Sequence, residues 1–153
     1  KKLLQNIYCS SPLIIKKKYK MQNNEVIDNL KNLSPEKQEL FLKHFLKEHG
    51  FSSMAIVARN SGKEITAIGF IEIGIISYQF LIKFVVGNTI ISATMLNKLR
   101  SEANAQTNKG LIITTSTFTR EAKSAKRKKG EIPIDLIDGS QIVNRVKELN
   151  FNF

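Results

Sequence analysis

The sequence predicts an α/β domain whose strands pair partly in parallel and partly antiparallel, and two stretches carry that expectation. The first runs from Gly110 to Ile137 and opens Gly110-Leu-Ile-Ile-Thr-Thr-Ser-Thr-Phe-Thr119. Leu111 to Ile113 is a short apolar run entered from a glycine and closed by hydroxyl residues, which reads as a buried strand. Thr114 to Thr119 has the small polar residues that cap a helix, and Arg120 to Lys129 has helix formers throughout. Ile134 to Ile137 reads as a second strand, so the unit is strand, capped helix, strand, a crossover that builds parallel pairing. The second stretch, Met54 to Val86, reads as strands at Met54–Ala58, Ile65–Ile76 and Tyr78–Val86 in an antiparallel meander or hairpin.

Composition narrows the partners. The chain has 153 residues, enough for one domain with a real core, and a formal charge of +11. That excess of cations favours a polyanion, nucleic acid before an anionic membrane, although a compositional bias toward lysine gives the same count. The single Cys9 excludes an internal disulfide and a thiolate metal cluster, and a cytoplasmic, reducing location is the default expectation. No apolar stretch approaches the ~20 residues of a membrane span. Leu3-Leu4 is broken by Gln5-Asn6, so no signal-peptide core is expected.

The remaining elements follow in order. Residues 1–33 read as a basic arm with a weak helix over Glu25–Leu33, and residues 34–153 as the domain. Lys16 to Lys20 could touch phosphates or simply be a solvated tail. Ser34-Pro35 starts a helix, with Ser as cap, Pro at the first helical position and Glu36 near the positive helix end. Leu40, Phe41, Phe45 and Leu46 give that helix its apolar face, and Gly50 ends it. His44 and His49 lie on it without a second set of ligands, so they read as surface or core-edge residues rather than a metal site. Ile91–Ala105 reads as a helix packing through Met95, Leu96 and Leu99, and Gln141–Leu149 as one packing through Ile142, Val143, Val146 and Leu149.

Two features ask for a function. Lys83 is a lone charge inside Phe80-Leu-Ile-Lys-Phe-Val-Val86. A buried lysine is costly unless paired, so it is either a functional residue or an edge-strand lysine that blocks aggregation. Arg120, Lys123, Lys126, Arg127, Lys128 and Lys129 carry one nearby acid, Glu121, and read as a phosphate-facing helix or as a solvated one.

The segment Gly110 to Ala122 followed by Pro133-Ile-Asp-Leu-Ile-Asp-Gly139, with Lys109-Gly110 and His49-Gly50-Phe51, resembles the Mrr-type restriction endonuclease catalytic domain over about residues 34–153. The resemblance implies a restriction-endonuclease-like fold, a central mixed β-sheet flanked by helices. It also implies metal-dependent hydrolysis of DNA phosphodiesters, with DNA as partner and Mg²⁺ as cofactor of an active member. On that resemblance Glu39 falls on the helix glutamate, a metal ligand, and Lys83 on the catalytic lysine. The strand aspartate falls on Thr66 and the Gln/Glu position on Leu81, so two expected ligands are missing. A hydrolytic Mg²⁺ wants hard oxygen ligands, and Leu81 offers none. Glu64 lies two residues before Thr66, on the same strand face, and could replace the lost carboxylate. The sequence therefore points to a DNA-binding member with impaired cleavage. The alternatives are an active nuclease using Glu39, Lys83 and Glu64, and a non-catalytic partner-binding or homodimerisation module.

Overall fold

The computed structural model describes residues 23–61 and 63–151. Residues 1–22, which include Cys9 and the basic run Lys16–Lys20, lie outside the described residues. Five strands form one sheet in sequence order: β1 (Ser53–Asn60), β2 (Glu64–Ile73), β3 (Ile76–Val85), β4 (Lys109–Thr114) and β5 (Ile134–Ile137). β1, β2 and β3 pair antiparallel, and β3, β4 and β5 pair in parallel. The helices are α1 (Asn23–Asn32), α2 (Pro35–Glu48), α3 (Ala93–Glu102), α4 (Arg120–Ala125) and α5 (Gly139–Glu148). The mixed sheet expected from the crossover and the meander is the sheet found.

Each face of the sheet has its own core. On one face α1, α2 and α5 pack through Val26, Leu30, Phe41, Phe45, Ile142 and Val146 against Ala67, Ile82, Phe84, Leu111 and Ile113. On the other, α3 and α4 pack through Leu96, Leu99 and Ala122 against Leu81, Ile112 and Ile134. The split follows from the two-residue period of a strand: Ile82 and Phe84 serve one face, Leu81 the other. Lys83 shares the parity of Leu81, so its side chain leaves the sheet toward α3.

Local chemistry sets the element ends. The Ser34 hydroxyl accepts from the Lys37 N–H at the start of α2, as its sequence position suggested. Asp138 opens α5 with a reciprocal capping box: its carboxylate accepts from the Gln141 N–H, while the Gln141 side chain accepts from the Asp138 N–H. Ile56 and Ala58 flank a bulge in β1 that leaves Val57 exposed.

Three expectations change. α2 buries Gln38, Phe41, Leu42, Phe45 and Leu46, an i, i+3, i+4, i+7, i+8 face, and leaves Leu40 outside at 64% exposure. Residues 23–32, grouped with the arm by composition, join the main core through Val26 and Leu30. The helix expected to run from Arg120 to Lys129 stops at Ala125. Lys126 to Lys129 is a run of four like charges that repel within one helical turn, and Gly130 follows at φ +80°.

α5 meets the end of β4 at a close approach. A Cβ on Gly139 would lie 2.5 Å from the Thr115 carbonyl oxygen, a backbone atom that cannot swing aside. Gly139→Ala is expected to cost about 1–3 kcal/mol through overpacking, read as a Tm lowered by several degrees. An unchanged Tm would mean that α5 does not seat this closely on β4.

Candidate active site

β3 is the third of five strands, which removes the edge-strand reading of Lys83. The Lys83 side chain is fully buried, at 0% exposure. Its β2 partner in the ladder, directly opposite, is Thr66. Glu64 is paired with Val85, so it sits diagonally from Lys83 on the same face, within reach of a long side chain. The Lys83 ammonium donates to Glu64 Oε1 at 2.8 Å and to Thr66 Oγ1 at 3.4 Å. Its third partner comes from the last residue of α3: Glu102 Oε2 lies 2.8 Å from Nζ. Lys98, one turn earlier on α3, approaches Glu64 Oε1 at 3.6 Å. An ammonium has three N–H groups, and three oxygen partners satisfy them. Two cations and two carboxylates leave the cluster neutral.

The electrostatics agree with that geometry. Burial alone would push Lys83 down, but hydrogen bonds to Glu102 and Glu64 and their negative charge outweigh it, and its pKa lies above the ordinary value. Burial would push the Glu64 carboxyl up, yet the hydrogen bond and charge of Lys83, the charge of Lys98 and a hydrogen bond from Asn60 hold it below the ordinary value. Glu102 sits at the negative end of α3, where a carboxylate is ordinarily disfavoured, and the Lys83 ammonium offsets that placement.

The other residues expected at a catalytic centre are placed elsewhere or lack the chemistry. Leu81, at the Gln/Glu position, is buried in the α3-side core. Glu39 lies on α2, whose apolar face packs on the opposite side of the sheet, and it forms an ion pair with Arg59 of β1. No hydrogen bond or ion pair among the described residues joins Glu39 to the Lys83 cluster. His44 pairs with Glu48 at 3.4 Å, and His49 Nδ1 lies 2.6 Å from the Phe45 carbonyl, so both histidines are engaged on α2 itself.

A divalent ion needs several oxygen donors around one point. Among the described residues no three His, Cys, Asp or Glu side chains are grouped to supply them. The oxygens that do converge, from Glu64, Thr66 and Glu102, converge on the Lys83 ammonium. As arranged, this donor set fits an ammonium and does not fit a divalent metal.

The basic residues share no hydrogen bond or ion pair with this cluster among the described residues. Arg120, Lys123, Lys126, Arg127, Lys128 and Lys129 are all exposed. Arg127 pairs with Asp135 at 3.2 Å and Lys128 with Glu131 at 3.1 Å, while the other four have no acidic partner among the described residues. Arg100 of α3 orders this segment. Its Nη2 donates to the Ala125 carbonyl at 2.7 Å and its Nε to the Ile132 carbonyl at 3.3 Å, with Glu131 3.0 Å from Nε. Sequence reading did not single out Arg100 and missed this clamp. Glu102 was missed as well, because nothing local marks a helix-terminal glutamate as the partner of a strand lysine.

A mixed sheet with helices on both faces and a buried, charged lysine on its central strand defines the class, an α/β domain with a polar site inside its core, and comparison with known proteins gives the family. The Mrr_cat family model, described as restriction endonuclease, matches residues 30–146. The chain belongs to this restriction endonuclease family. Among solved structures, the DNA modification-dependent restriction endonuclease AspBHI is similar with a TM-score of 0.65 at 18% identity, over 84% of this chain and 36% of that one. The MspJI restriction endonuclease, in complex with a 27-mer oligonucleotide, is similar with a TM-score of 0.50 at 13% identity, over 90% of this chain and 31% of that one. The chain thus spans about a third of the length of these two structures, and the likeness is one of fold. No curated protein matches the sequence. No helix among the described residues is long and apolar enough to cross a membrane.

The coupled charges give a pH dependence with a definite sign. Glu64 ionises more readily folded than unfolded, so its contribution to stability is present above its ordinary pKa of 4.5 and is lost as pH falls through the depressed folded value. Lys83 behaves oppositely: its contribution is full below its ordinary 10.5 and is lost as pH rises through the raised folded value. Glu64→Gln is expected to cost about 1–3 kcal/mol at neutral pH and to flatten the acid limb of a urea-midpoint profile. Acid limbs of equal slope in the two proteins would contradict this account of the cluster.

Proposed function

We propose that this chain is a DNA-binding domain of the restriction endonuclease family in which phosphodiester cleavage is impaired. One observation carries the reading. The lysine that the family resemblance makes catalytic has no exposed surface, and all three of its N–H groups are engaged by Glu64, Thr66 and Glu102. To stabilise charge developing at a phosphorus, that ammonium would have to be open to the substrate. Leu81 adds an apolar side chain where the family has a polar one.

What the chain keeps is a cationic surface. Arg120, Lys123, Lys126 and Lys129 carry uncompensated charge on α4 and the loop behind it, and Arg100 fixes the backbone of that loop. Phosphate contacts of this kind bind DNA irrespective of sequence and release counterions. Engagement of four phosphates would make affinity fall roughly 150-fold between 50 and 200 mM salt. A second reading, cleavage with Glu64 as a relocated carboxylate, draws support from the 2.8 Å contact between Glu64 and Lys83.

The two readings separate in one assay. Supercoiled plasmid incubated with Mg²⁺ or Mn²⁺ is expected to stay intact, with nicking no higher than in Lys83→Ala or chelator controls. In parallel, filter binding should show the salt dependence, and Lys126→Ser with Lys129→Ser should reduce its log–log slope by about 2. Nicking that requires both Lys83 and the divalent ion would favour the second reading. Affinity that does not change with salt would remove the basic surface from the account.

A further inference from the structure

The Lys83 cluster is built more fully than a lost catalytic centre requires. An abandoned site is expected to fill with apolar side chains, as Leu81 does, and not to retain two carboxylates around a buried cation. We infer that Lys83 is the resident cation of this site: its ammonium stands in for the divalent ion, binding the Glu64 and Glu102 carboxylates together so that the site stays closed without a metal. This rests on the reading that the domain binds DNA without cutting it.

Position, charge and donor geometry each support the inference. Thr66 faces Lys83 across the ladder, and Glu64 and Glu102 approach the same nitrogen from β2 and from α3. The cluster therefore ties the end of α3 to the two central antiparallel strands. The contacts at 2.8 Å are ordinary lengths for charge-assisted N–H···O hydrogen bonds, so both carboxylates are used by the ammonium. Lys83 and Lys98 already neutralise both carboxylates, so a divalent ion added beside them would leave an excess of two positive charges. Lys83 also lacks an easy exit, because its side chain is enclosed between the sheet and α3 with no exposed surface.

A corollary gives the test. If the ammonium is what keeps a divalent ion out, removing it exposes two carboxylates and a hydroxyl as hard oxygen donors. The wild-type protein, Lys83→Met, and Lys83→Met combined with Glu64→Gln and Glu102→Gln would each be titrated with Mn²⁺. Free Mn²⁺ is followed by electron paramagnetic resonance, and Tm is followed with and without the ion. The wild-type protein is expected to bind no Mn²⁺ that depends on Glu64, and its Tm should not move. Lys83→Met is expected to bind one Mn²⁺ and to gain roughly 5 °C or more at saturation, a gain abolished in the triple variant.

Stoichiometric Mn²⁺ binding by the wild-type protein that Glu64→Gln removes would overturn the inference. So would a Lys83→Met protein indifferent to Mn²⁺, whether folded or still unfolded with the ion present. DNA binding by the wild-type protein in chelator is read separately. Its loss would defeat the DNA-binding reading, whereas wild-type Mn²⁺ binding with DNA affinity intact would defeat only the resident-cation inference.

Discussion

Taking an ammonium out of water costs several kcal/mol unless opposite charge and hydrogen bonds replace the solvent. Lys83 meets that cost at the centre of the sheet, where β3 is flanked on both sides and no solvent reaches the side chain. Compensation has to come from other elements, and it comes from two: Glu64 on β2 and Glu102 at the end of α3. Removing one partner of a buried ion pair is far costlier than never having had the pair. The placement of α3 over the sheet is therefore linked to the presence of this one lysine. Apolar contacts from Leu96 and Leu99 seat the helix on the sheet, and they are non-directional. The carboxylate–ammonium contact is directional, and it fixes where the last turn of the helix lies.

The same constraint shapes the chemistry. A nuclease site needs its lysine and its acidic groups open to one phosphate, whereas here they satisfy one another. Family membership is shown by the match over residues 30–146, and the fold is that of the two restriction endonuclease structures. The reading of function departs from simple inheritance because Thr66 and Leu81 occupy positions where the resemblance expects ligands. The nucleic-acid contact proposed above is assigned to the cationic segment after Thr119, whose backbone is held by a different α3 residue, Arg100.

Much of the fold was legible because its signals are local. Ser34-Pro35 marks a helix start through a hydrogen bond made within one turn, and the apolar run in β3 marks both the strand and the oddity of Lys83. Glu64 was legible because the two-residue period of a strand places it on the face of Thr66. What failed depends on tertiary contact. Leu40 fits a helical spacing as well as Leu42 does, and only the position of the sheet selects Leu42. The end of α4 depends on repulsion among Lys126 to Lys129 and on Arg100 taking the carbonyl of Ala125. Glu102 became part of the site only when α3 folded back across the sheet, a contact between distant segments that leaves no local trace.

The central claim is that Lys83 is held charged and closed off from solvent by two carboxylates. Its most direct test is the ¹⁵N-edited NMR signal of the lysine ammonium groups at neutral pH. Exposed lysines exchange their ammonium protons too fast to be seen, so a slowly exchanging resonance that vanishes in Lys83→Met and shifts in Glu64→Gln and Glu102→Gln is the expected result. A Lys83 that exchanges freely with water, or that titrates as a neutral amine near neutral pH, would contradict the account.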